Sequence, residues 1–298
     1  MSLTMPASAY ANHASMVGIE ARRFARHPLF IAGVLVALAI TWVSGSSEHR
    51  PNDLLAWTVV PAFFIGLPSL IAAARITRST EVSAEAIGTA PRTEARRTLA
   101  VAGACLLPFA AGVLWIVELF VILAVQGQPH PNELWFGTLD DLQVWAILIG
   151  LGPVACLGGA LAGVLVGRWL RFPGAPAVAV VALVAIDMLG QAPWMNEKNL
   201  STEQFRLWTP WAMFHSGSLD NGTQMLLAGN AVFYLGYQLA LCGLAVAGAV
   251  WHDRSARTGR LRTVSLGLVG LAVALLALAM FTGPDTIISK PIPFKVND

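Results

Sequence analysis

Glu118 and Asp187 are the side chains in this sequence best placed to do chemistry. Each stands inside an apolar run, "GVLWIVELFVILAV" around the first and "AVVALVAIDMLGQA" around the second. A carboxylate held in hydrocarbon costs on the order of 3 kcal/mol at mid-bilayer on insertion scales, so it needs a reason to be there. Two reasons stay open at this level. Either the acids line a polar substrate path or serve a proton-linked step, or they make interhelical hydrogen bonds, with Gln191 or Gln238 as partners. Other chemistry is missing. The chain has no G-x-x-x-x-G-K-[ST] phosphate loop, no H-E-x-x-H pair, no G-x-S-x-G elbow and no Cys/His ligand spacing. Asp140 and Asp141 lack a third carboxylate at a spacing that would chelate magnesium. Cys105, Cys156 and Cys242 sit in apolar runs and read as small core residues. No catalytic, cofactor-binding or metal residue is therefore expected.

The elements that position these acids follow from composition. The chain is 56% hydrophobic and 12% charged, with a mean hydropathy of +0.64. Soluble domains carry about a quarter charged residues, so this composition points to a membrane protein. A net charge of +2 and the absence of a basic groove with interleaved aromatics argue against nucleic acid. Seven runs are long enough to be read as spans: Pro28 to Val43, Leu54 to Ala74, Leu99 to Val125, Val144 to Val166, Ala175 to Met195, Ala231 to Val250 and Val264 to Phe281. The first is short enough to raise a secretory signal peptide, against which its long polar lead argues.

With the N-terminus inside, only Arg50, Lys198, Arg206, Lys290 and Lys295 of the 19 basic residues fall outside. That bias is the positive-inside pattern. The expected fold is thus an all-α polytopic bundle of about seven transmembrane helices with a cytoplasmic N-terminus. Trp42, Trp57, Trp145 and Trp194 mark the outer borders, and Trp169 and Trp251 the inner ones.

Local patterns add detail. Residues 1–27 hold an amphipathic stretch, "SAYANHASMVGIEARRFARHP", suited to the inner leaflet. Gly159, Gly163 and Gly167 share one helical face and predict close packing against another helix. Pro61 and Pro68 predict a bend in the second span. Residues 196–229 form a long outer segment in which Phe205, Trp208, Trp211 and Phe214 have near-helical spacing, with a break at Pro210. Between spans two and three, "STEVSAEAI" and "RTEARRTLA" flank the turn "GTAP", which predicts a small cytoplasmic helix capped at Ser79 or Thr80.

In layout the chain resembles the permease subunits of ATP-binding-cassette exporters of the type-2 class, of the actinobacterial kind. The stretches that carry the resemblance are "GIEARRFARHPLF", the charged island at 75–98, "GVLVGRWLRFPGAPA", the outer segment, and "FYLGYQLALCGLAVAGAVW". It covers nearly the whole chain in order and topology, through loose motifs. It implies an elbow helix at 1–27, a six-span core at 28–250, and a coupling loop at 75–98 that docks on a separate ATPase. Glu81, Glu85, Ile87 and Arg92 are then the candidate contacts, with ATP bound by the partner. It also implies a second permease copy or paralogue and a location in the bacterial cytoplasmic membrane. Residues 251–298, with a seventh span and an outer tail, depart from the six-span pattern. Readings from other classes are an ATP-independent membrane anchor or sensor, and a secondary transporter using Glu118 and Asp187.

Overall fold

A computed structural model describes residues 7–45, 56–87, 93–125, 140–191, 203–218, 223–283 and 288–291. Helix dominates. In chain order the helices are α1 (Ala7–Ala25), α2 (Pro28–Gly45), α3 (Leu67–Ile87), α4 (Glu94–Ala104), α5 (Leu106–Val125), α6 (Asp141–Ile149), α7 (Ala155–Trp169), α8 (Ala175–Gln191), α9 (Ala231–Trp251) and α10 (Gly259–Phe281). Every apolar run of the sequence overlaps one of these helical segments. By length and apolarity four of them can cross a membrane: Glu94–Val125, Asp141–Trp169, Ala231–Trp251 and Gly259–Phe281. The bent pair formed by α1 and α2 makes a fifth if it counts as one span, and α8 is a shorter apolar helix.

The helices are not the whole of it. Three short strands, β1 (His215–Ser218), β2 (Thr223–Leu226) and β3 (Ile288–Pro291), form an antiparallel sheet in the order β1-β2-β3. The sheet is a small addition to a chain that is otherwise helical, as expected. It also fixes topology, because β3 follows α10 whereas β2 precedes α9, so α9 leaves and α10 returns to the same end. Asn230 N donates to Ala279 O at 2.8 Å and joins the two helices at that end.

Two segments begin as distorted helix. The second apolar run starts as a 3-10 turn at Ala56–Val59 and a π turn at Pro61–Gly66 before α3. A second π turn, Gly150–Val154, contains Pro153 and joins α6 to α7. Proline cannot donate to the preceding turn, and the ladder widens around it. Pro61 opens the first π turn, and Pro68 stands in the first turn of α3. At the other termini, side chains satisfy the free N–H groups. Asp140 Oδ1 accepts from Gln143 N at 2.9 Å, so the Asp140–Asp141 pair caps a helix. Asn230 Oδ1 accepts from Val232 N at 3.0 Å.

The core is a seam between α3 and α7, which run in the same direction. A Cβ built on Gly159 would lie 2.5 Å from Gly66 O, and one on Gly167 would lie 2.8 Å from Ala74 O. One built on Gly163 would overlap Leu70 O. Gly66, Leu70 and Ala74 are themselves spaced by four, so two i, i+4 rows meet backbone to backbone. In the segment from Asp141 to Trp169, 78% of the apolar 18-residue stretch is buried, and it forms the centre of the bundle. In contrast, only 11% of the corresponding stretch of α10 is buried. It leans on α9, with Leu268 against Gly243 and Leu275 against Gly236. At the other edge α1 turns into α2 through 64° and lies along α4. Phe24, fully buried, packs edge-on against Phe30 across that turn, with ring centroids 5.1 Å apart.

The seam makes a direct prediction. Gly163→Ala places a methyl against backbone that cannot move aside, and overpacking of this kind costs about 1–3 kcal/mol. Gly267→Ala in α10 meets nothing within 4 Å. Thermal unfolding of the detergent-solubilised protein should show a clear drop for the first and none for the second.

Candidate functional site

Two sites emerge, one at each end of the bundle. At the arginine-rich end the charged island takes a different shape from the one expected. Helix α3 continues without a break from Leu67 through Ile87, so Ser79 and Thr80 lie inside it and cap nothing. Ser79 Oγ instead donates to Ile76 O at 2.8 Å and accepts from Arg23 of α1. A polar residue starts a helix only if the preceding backbone turns away, and here the apolar helix propagates through the charged stretch. Glu81, Glu85 and Ile87 lie on the last turns of α3, where only the backbone is described; Arg92 and the "GTAP" turn lie outside the described residues. The return helix α4 begins at Thr93, whose Oγ1 accepts from Arg96 N.

The start of α4 is clamped to two other helix ends. Glu94 Oε1 lies 2.6 Å from His252 Nδ1, just beyond α9, and 3.6 Å from Arg168 Nη1, near the end of α7. Asp253 Oδ2 accepts from Ala95 N at 2.9 Å, while its Oδ1 accepts from Ser255 N and Oγ. Burial raises the Asp253 pKa, but these donors and Ala256 N outweigh it and hold the carboxyl below its ordinary value. Trp169 Nε1 donates to Gly248 O at 2.9 Å and its ring meets His252 edge-on. On the flank, Arg78 of α3 donates to the carbonyls of Arg171 and Phe172. The hairpin made by α3 and α4 is thereby bonded to α1, α7, α9 and the loop before α8. Sequence reading missed this clamp, since its partners are as far as 158 positions apart.

At the opposite end, residues 203–214 fold back into the bundle. A 3-10 turn, Glu203–Trp208, gives way to non-helical chain, in place of the short helix expected from the aromatic spacing. Phe205 and Trp208 stay exposed, whereas Trp211 and Phe214 are buried. Non-helical backbone at such depth needs partners, and polar side chains of α8 and α9 supply them. Asp187 Oδ1 accepts from Trp211 N at 3.2 Å. Gln191 Oε1 accepts from Met213 N at 3.0 Å and its Nε2 donates to Trp211 O. Tyr234 OH accepts from Ala212 N and donates to Thr209 O, both at 2.7 Å. Tyr237 OH donates to Trp208 O at 2.8 Å, and Gln238 Nε2 to Pro210 O at 2.9 Å. Arg206, fully buried, donates to Met213 O and Ala228 O and lies 5.5 Å from the centre of the Phe214 ring.

This arrangement separates the two acids of the apolar helices. Asp187 is 2% exposed and accepts a backbone hydrogen bond from Trp211 N. Glu118 lies on α5, whose main neighbours are α2, α7 and the π turns, whereas α8 packs on α3, α7 and the 203–208 turn. The pair does not converge on one site. Gln238 and Gln191, both named from the sequence, join the Asp187 group, together with Tyr234 and Tyr237, which the sequence reading did not single out; their spacing on a helix facing an aromatic segment was the available signal. Beneath Pro210 and Trp211 lies a cavity of about 190 Å³, floored by Gly158 and Ala162 of α7 and walled by Leu183 and Leu241. Among the described residues, no group of His, Cys, Asp and Glu is arranged to hold a metal ion. In comparisons with known proteins, no family model, curated protein or solved structure matches this chain.

Two outcomes are expected here. Asp187→Asn keeps an acceptor for Trp211 N–H and should unfold at nearly the wild-type temperature. Asp187→Leu leaves that N–H buried without a partner, a loss of about 1–3 kcal/mol. Equal losses in both variants would contradict the acceptor role. For Asp253, a depressed folded pKa means that its stabilisation is complete above the ordinary carboxylate value and is lost as pH falls through the folded one. Wild-type unfolding temperature should therefore fall below about pH 4, and Asp253→Asn should flatten that acid limb.

Proposed function

We propose that this chain is the non-catalytic transmembrane permease subunit of an ATP-driven exporter of the ATP-binding-cassette type-2 class. On this reading the N-terminus is cytoplasmic, seven spans cross the bacterial cytoplasmic membrane, and α1 is the elbow helix on the inner leaflet. The observation that carries the proposal is the helical hairpin of α3 and α4 at the arginine-rich end, with its return helix clamped to the ends of α7 and α9. Such a hairpin is a lever. A push on its tip acts through Glu94 and Ala95 on α7 and α9, and the glycine seam couples α7 to α3.

The chain carries no phosphate-binding loop, so the push has to come from a separate ATPase. Its docking surface is the hairpin tip, with Glu81, Glu85, Ile87 and Arg92 as contacts. Two permease chains, as a homodimer or with a paralogue, enclose the pathway, and closure of two ATPases on ATP switches it between inward and outward exposure. The fold-back of residues 203–214 shields the outer end. The polar side chains there hold backbone, which favours a pathway gated by helix movement over one driven by protons through Glu118 and Asp187.

The test is copurification from native membranes in mild detergent, comparing the wild-type chain with Glu85→Lys combined with Arg92→Glu. An ATPase subunit should accompany the wild type and be lost from the variant, with the variant's unfolding temperature unchanged. Absence of an ATPase from both would leave an anchor or sensor that binds a regulator through the same hairpin.

A further inference from the structure

The turn that joins α9 to α10 carries four arginines within nine positions, Arg254, Arg257, Arg260 and Arg262, and all four are exposed. The acids whose side chains are described at this end are already committed. Asp253 accepts from Ala95 N, Ser255 N and Ser255 Oγ, Glu94 is held between His252 and Arg168, and Glu20 pairs with Arg23. Among the described residues, Arg254, Arg260 and Arg262 have no ion pair and no side-chain hydrogen bond, while Arg257 uses its Nε on Trp251 O. Further along, α10 presents an apolar face with no protein against it. The helix packs on α9 and meets the 203–208 turn, and only 11% of its apolar stretch is buried. A Cβ on Gly259, Gly267 or Gly270 would meet nothing within 4 Å. Helical spacing sorts the exposed side chains of this face into two rows. Val264, Leu271 and Leu278 continue the line of Arg260, and Leu266, Val269 and Val273 continue the line of Arg262. Each apolar row is thus headed by a guanidinium, a group whose fork of donors matches phosphate oxygens. A second copy of the chain is the poorer occupant. A two-fold axis along the membrane normal would set two α10 helices parallel and bring both sets of four arginines together, like charge against like.

We propose that this face of α10 binds an anionic phospholipid of the adjoining leaflet, with the phosphate between Arg260 and Arg262 and the acyl chains along the two apolar rows. Arg254 and Arg257 add to the attracting field. The proposal goes beyond the exporter reading and does not rest on it, since lipid binding requires α10 in a bilayer and no ATPase.

The test is photolabelling of the full chain in nanodiscs of phosphatidylcholine that carry a trace of either phosphatidylglycerol or phosphatidylcholine with a diazirine in the acyl chain, the labelled peptides being located by mass spectrometry. Phosphatidylglycerol should label α10 in preference to phosphatidylcholine by about thirtyfold, the product of roughly fivefold for each of two arginines near the headgroups. The preference should shrink as salt is raised. Arg260→Gln combined with Arg262→Gln should bring labelling of α10 by phosphatidylglycerol down toward the phosphatidylcholine level at an unchanged unfolding temperature, whereas Arg22→Gln combined with Arg26→Gln on α1 should leave it as in wild type. Inorganic phosphate at matched ionic strength should not displace the lipid. Equal labelling of α10 by the two lipids, a preference that survives the Arg260 and Arg262 changes, or displacement by phosphate would each overturn the proposal. So would labelling of α10 by neither lipid, the result expected if a second copy covers this face. The wild-type preference decides the matter even if the double variant does not fold.

Discussion

The contact on which the rest of the molecule depends is the meeting of two backbones along α3 and α7. Side chains larger than a hydrogen at Gly159, Gly163 and Gly167 would hold the helices apart. Inside a bilayer the hydrophobic effect does not drive helices together, so association relies on packing and on hydrogen bonds. Close approach of small residues supplies the first. Once α3 is fixed on α7, its extension to Ile87 has a direction, and α4, α8 and α9 find their places against the same central pair.

The second constraint is the satisfaction of polar backbone. The fold-back of residues 203–214 abandons helical bonding at depth, and seven of its backbone groups are taken up by Asp187, Gln191, Tyr234, Tyr237 and Gln238. Asp187, one of the two carboxylates singled out in the sequence, is an acceptor for this chain. Polar residues on apolar helices serve here as fasteners for irregular chain, and the cavity beneath them exists because Trp211 and Pro210 are held off the floor.

Much of the bundle was legible in the sequence, for reasons that can be given residue by residue. Apolar runs find helices because the backbone must satisfy itself in hydrocarbon, and the glycine face was legible because a spacing of four is a helical face. The island's helix boundary was misread, since Ser79 is a good cap only where the chain turns. The hairpin of β1 and β2 was passed over although "DNG" in the sequence between them is a turn signal. The pairing of β3 with β2, and the clamp of Glu94 with Arg168, His252 and Asp253, join positions far apart in the chain. No local pattern encodes such contacts, and only the packed fold shows them.

The central claim is that force from an ATPase enters through the hairpin tip. It is tested most directly by placing the photo-crosslinking residue p-benzoylphenylalanine at Glu85, and separately at Leu266 on the exposed face of α10, and irradiating native membranes. The account predicts an ATPase subunit joined to the chain at position 85 and not at position 266. Crosslinks at position 85 to other proteins only, or to none, would contradict it.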